Sequence, residues 1–190
     1  MWWSKHFAAI GRVTRLGVAL MLAGLVAGCF EPLYGERSFT STGGTSVRDK
    51  LSAVDVLPID ALNGRPEARI GVELRNALMF DTTGGGSPSP STHKLKIKLT
   101  TSRQSIIVDI YTTRPDVENY GIDAIYSLTE ISTGKVVVTG QTFARVSYDI
   151  PGQQQRFARA RGLRDAENRA AKVIADQIRS RLASYFVAGT

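Results

Sequence analysis

Few side chains in this 190-residue sequence could do covalent chemistry: one cysteine, Cys29, and two histidines, His6 and His93. A single thiol builds no disulfide framework and completes no thiolate zinc site. His93, between Thr92 and Lys94, has no neighbour in the sequence placed to orient it as a general base. It reads as a solvated residue at a strand edge. No Ser–His–Asp pattern and no cluster of metal ligands stands out, so the sequence reads as a non-enzyme that needs no metal and no cofactor. Two kinds of chemistry are left: a thiol that can accept an acyl group, and guanidinium forks that can hold anions.

Cys29 follows a leader. Lys5, Arg12 and Arg15 come first with no acid among them, then the uncharged run Leu16–Ala27. Those twelve residues are too short for a spanning helix, which needs about 20. They match the apolar core of a secretory signal. Val26-Ala27-Gly28-Cys29 resembles a bacterial lipobox. The likeness implies that residues 1–28 are removed, that the Cys29 thiol is acylated and that the amino group exposed by cleavage is acylated as well. Each buried methylene of such chains contributes about 0.8 kcal/mol to anchoring. Phe30 stands where an Asp would favour retention at the inner membrane, so the expected address is the outer membrane, on its periplasmic side.

Removing the leader removes three cations, leaving 21 basic residues against 17 acidic ones, a net charge of +4. The excess is concentrated. Residues 153–190 carry eight basic and three acidic side chains, and Arg156, Arg159, Arg161 and Arg164 all precede the first acid, Asp165. Cations at a helix start oppose the macrodipole by about 0.3–1 kcal/mol each. Either the helix starts near Leu163, or it starts near Gln153 and an anion offsets the cost. An exported protein has no nucleic acid to bind, so the anions at hand are phosphorylated lipids.

The elements that must position these groups follow from periodicity. Residues 29–50 read as an N-terminal tether and residues 51–190 as a single domain. Ser52–Ile59 alternates as a strand, and Pro66 opens a helix over about 66–80, with Ile70, Leu74, Ala77 and Leu78 on one stripe. The segment Gly84–Pro90 lacks the pattern of a phosphate-binding loop. His93–Leu99 is a strand with Leu95, Ile97 and Leu99 on one face and Lys94, Lys96 and Lys98 on the other. A bulge or bend and a second stretch, Gln104–Tyr111, follow, then a loop over Thr112–Asn119. Tyr120–Leu128 and Val136–Tyr148 form a hairpin around Ser132–Lys135. A long helix closes the chain, with Leu163, Ala166, Ala170, Val173, Ile174, Ile178, Leu182 and Tyr185 as its apolar stripe. The order β-α-β-β-β-α predicts an α+β two-layer sandwich with both helices on one face of the sheet.

Taken together, the lipobox with Cys29-Phe-Glu-Pro-Leu-Tyr-Gly35, the segment Ala68–Leu78, the hairpin and Asp165–Leu182 resemble the LPS-assembly lipoprotein family, LptE, across the mature chain. The resemblance implies a mixed four-stranded sheet with two helices and no catalysis. It implies a partner, the outer-membrane β-barrel LptD, and binding of lipopolysaccharide. It also implies lipid-binding basic residues in the loop after the second strand and at the start of the last helix, positions held here by Arg114, Arg161 and Arg164. The alternative is an accessory lipoprotein of an envelope lipid-transport ABC system, which shares a lipobox and a similar plan.

Overall fold

The computed structural model describes residues 46–59, 61, 64–87, 89–107, 115–150 and 156–188. The first described element is a short helix, α1 (Val47–Ser52). Ser46 and Asp49 form a capping box: the Asp49 amide donates to Ser46 Oγ at 3.1 Å and the Ser46 amide to Asp49 Oδ2 at 3.1 Å. Val47 and Leu51 face the core. Strand β1 (Val54–Val56) follows. The expected strand over Ser52–Ile59 is therefore cut to three residues, because the capping box commits the residues before Ala53 to a helix.

Helix α2 (Pro66–Thr83) opens with Pro66 at its first turn and ends at Gly84, whose amide donates to the Phe80 carbonyl. It outruns the predicted end. Thr82 and Thr83 stay helical by returning their hydroxyls to the Leu78 and Met79 carbonyls at 2.8 Å each.

Three long strands come next: β2 (His93–Ile107), β3 (Pro115–Glu130) and β4 (Val136–Asp149). The sheet order is β1-β2-β3-β4, with β1 parallel to β2 and the other pairs antiparallel, so the sheet is mixed as expected. β2 runs without the break expected before Gln104; its pairing shifts only at Ile106/Ile107. Most of the loop expected over 112–119 is strand as well, since β3 starts at Pro115. The polar inward residue that breaks the alternation there, Glu118, is satisfied inside the fold.

Helix α3 (Arg156–Ala188) covers the sheet. At about 1.5 Å per residue it spans roughly 50 Å. A 15-residue strand at about 3.3 Å per residue spans the same length, so one helix can shield the ladder from end to end. Its buried face is mostly small: Ala166, Ala170, Ala171, Ala175 and Ala183 alternate with Ile174, Ile178 and Leu182. These meet Leu95 and Ile97 of β2, Tyr120 to Leu128 of β3, Val138, Ala144 and Tyr148 of β4, and Ile70, Leu74 and Leu78 of α2 in one core. Val173, expected on the buried stripe, instead faces solvent, and Ala171 and Ala175 take the inner positions.

Two glycines permit close approach. A Cβ on Gly140 would lie 2.5 Å from the Tyr126 hydroxyl, and one on Gly121 would lie 2.8 Å from Arg145 Cδ. Gly140 gives the Tyr126 ring its place inside the sandwich. Gly121 lets Arg145 lie flat on the outside of the sheet.

Candidate functional site

The start of α3 lies over the end of the sheet where β2, β3 and β4 carry Ser105, Glu118 and Tyr148 side by side. Glu118 is 8% exposed. A buried carboxylate is costly unless it is hydrogen-bonded, and this one is. Tyr148 donates its hydroxyl to Oε2, while Ser105 Oγ at 3.2 Å and Arg159 Nη2 at 3.1 Å both donate to Oε1. Burial pushes the Glu118 carboxyl up. The bonds from Tyr148 and Ser105, with the charges of Arg159 and Arg103, outweigh it and hold the group below its ordinary value. The Tyr148 phenol is pushed up to about 12, first by burial and then by its bond to Glu118.

This network decides what the arginines of α3 can do. The helix begins at Arg156, nearer the earlier of the two predicted starts, and its first turn has no acid. Arg159 is held by Glu118 across the layer. Arg169 is held by Asp165 at 2.7 Å and donates to the Ser147 carbonyl at 3.3 Å. Arg161 and Arg164 are exposed, and neither has an ion-pair or hydrogen-bond partner among the described residues. Phe157, 87% exposed, precedes them by four and seven residues, so all three lie on one outward helical stripe. Beneath this end is a shallow hollow of about 440 Å³, bordered by Tyr148, Gly162, Asp165 and Arg169. Further along, Arg69 of α2 ion-pairs with the nearly buried Glu167 and donates to Asn168 Oδ1 at 3.0 Å, fixing α2 to α3.

Of the sequence-predicted site residues, the structure therefore places Arg161 and Arg164 together on the exposed side of α3, unpaired among the described residues. Cys29 and Arg114 lie outside the described residues. His93 is not the solvated residue expected. It is half-buried, with its ring edge-on to Phe186 at 5.2 Å and Nδ1 2.8 Å from the Thr92 hydroxyl. Burial lowers its pKa against the opposing pull of Glu130. The Glu118–Tyr148–Arg159 network was missed by sequence reasoning. Its one signal is the parity of Glu118, which shares the inward phase of Tyr120, Ile122 and Ala124. Among the described residues, no group of His, Cys, Asp or Glu is arranged to hold a metal. No described helix is long and apolar enough to cross a membrane.

The chain matches no family profile and no curated protein. It does match solved structures. A candidate lipoprotein of Caulobacter crescentus CB15 aligns with a TM-score of 0.58 at 22% identity, over 76% of this chain and 97% of that one. The two share a fold. Rare lipoprotein B of Shewanella oneidensis aligns more loosely, with a TM-score of 0.49 at 13% identity over 71% of this chain and 96% of its own. A minor lipoprotein of Acinetobacter baumannii aligns at 0.48 and 11%, over 70% and 92%.

Proposed function

We propose that this protein is a lipid-anchored lipoprotein on the periplasmic side of the outer membrane. It partners a large LptD-like β-barrel and assists the assembly of lipopolysaccharide there. The observation that carries the reading is the position of the sole cysteine, directly after Val26-Ala27-Gly28 at the end of an apolar leader. The fold shared with the Caulobacter candidate lipoprotein supports it. So does the outward stripe on α3. Arg161 and Arg164 offer guanidinium forks to phosphate groups, while Phe157 offers an apolar ring to acyl chains beside them. Arg114 is the third cation of this binding role.

The protein acts by binding and positioning and turns over no substrate. Acyl chains on Cys29 hold it at the bilayer, and no cofactor beyond that covalent lipid is needed. Affinity purification of the acylated protein from native membranes tests the reading. Recovery of a β-barrel of much greater mass is expected. Normal barrel maturation in cells depleted of the protein would refute it, and recovery of an ABC transporter instead would favour the accessory-lipoprotein alternative.

A further inference from the structure

Both long helices cover one face of the sheet, and the opposite face carries an unspent set of groups. Lys94, Lys96 and Lys98 alternate with the buried Leu95 and Ile97 and are exposed in a row on β2, about 7 Å apart from one to the next. None forms an ion pair among the described residues. Beside them on β3 and β4, the pairings Lys96–Ser127–Thr139 and Lys98–Ile125–Gln141 run across the sheet. Together these residues border a shallow hollow of about 560 Å³. Among the described residues, Ser127, Thr139 and Gln141 engage no side-chain hydrogen-bond partner. Ile125 is 63% exposed and Phe143 66% exposed. The Phe143 ring is held in place: Arg145 lies over it with its guanidinium carbon 5.6 Å from the ring centroid and grips Asp123 at 2.9 and 3.0 Å.

We propose that this outer face is a second binding surface for the phosphorylated sugar headgroup of lipopolysaccharide, with Lys96 and Lys98 on phosphate, Ser127, Thr139 and Gln141 on sugar hydroxyls, and Ile125 and Phe143 against the apolar part. The assignment rests on the proposed function above and adds a site to it. Lysines also guard exposed sheet edges, and among the described residues β2 has no strand partner on its β1 side beyond Leu95. Edge protection alone does not account for them. β4, the other edge, is 14 residues long and has no lysine, and its one cation, Arg145, is spent on Asp123. The charge is collected where the hollow and the unused hydroxyls are.

The test uses the full acylated protein in detergent, titrated with purified lipopolysaccharide, with circular dichroism and thermal melting confirming the fold of each variant. Lys96→Gln with Lys98→Gln weakens binding roughly thirtyfold, the contribution of two cations near an anionic lipid surface, and flattens its dependence on salt. Ile125→Ser with Phe143→Ser weakens it as well. Wild-type protein that binds, with the lysine variant unchanged, overturns this inference and leaves the proposed function standing. Loss of barrel capture in the lysine variant with lipopolysaccharide binding intact also overturns it, and assigns the face to a protein partner. Wild-type protein that does not bind lipopolysaccharide at all sinks the functional reading and this site with it.

Discussion

Replacing Glu118 by Gln keeps the side chain's shape and removes its charge. Hydrogen bonds to a charged group contribute about 1.5–3 kcal/mol and neutral ones about 0.5–1.5. The bonds from Tyr148 and Ser105 therefore each lose roughly 1 kcal/mol. The pair with Arg159 adds little, because Arg159 is 54% exposed and solvent screens such pairs to about 0–1 kcal/mol. Burying a neutral amide instead of a carboxylate returns part of the loss. The expected net cost is about 1–2 kcal/mol, a fall of roughly 3–6 °C in Tm for a domain of this size. The gap should depend on pH. The folded carboxyl has its pKa lowered from 4.5. Its stabilising contribution is thus complete above the unfolded value and is lost as pH falls through the folded one. Urea unfolding of wild type and Glu118→Gln at pH 7 and at pH 3 should show a gap that narrows in acid. A gap that is absent at pH 7, or that persists undiminished at pH 3, refutes the claim that an ionised Glu118 ties α3 to the sheet.

Four further outcomes are expected. Gly140→Ala places a methyl against the Tyr126 ring and should cost about 1–3 kcal/mol by overpacking, read in urea unfolding. Tyr120 and Tyr148 are each pushed up to about 12, chiefly by burial. Burial raises Tyr126 as well, so spectrophotometric titration of the six tyrosines should show at least three ionising late; the contributions of Tyr120 and Tyr148, intact below pH 10, should be lost between about 10 and 12. Arg161→Glu with Arg164→Glu should weaken lipopolysaccharide binding at least thirtyfold, at about 1 kcal/mol per cation, with no change in Tm, because neither arginine has a partner among the described residues. Cys29→Ala should abolish incorporation of labelled fatty acid and leave the protein extractable without detergent.

The fold was readable where burial imposes a period. Leu95–Ile97 and Tyr120–Leu128 alternate because one face is covered and the other is not, and Ile70–Leu74–Leu78 repeats at helical spacing for the same reason. Short or locally decided features were not readable. α1 is six residues long and owes its existence to one capping box. The buried face of α3 is largely alanine, a weak apolar signal, so periodicity alone points Val173 inward where Ala171 and Ala175 are the buried residues. The start of β3 was hidden because Glu118 breaks the apolar alternation, and its three donors come from β2, β4 and α3, which sequence cannot bring together. At the candidate site, sequence located the arginines. Only the structure separated Arg159, held by Glu118, from Arg161 and Arg164, which point outward.

The short helix α1 also has a mechanical consequence. It is the first described element of the chain. Its Lys50 ammonium donates to the Phe186 carbonyl near the end of α3 at 3.3 Å, a favourable place for a cation. Val47 and Leu51 are sunk among core side chains, and each would forfeit about 1.5–3 kcal/mol on withdrawal. A pull applied at Ser46, the first described residue, would therefore load the seat of α1 on α3 before it reached the three-residue β1 behind it.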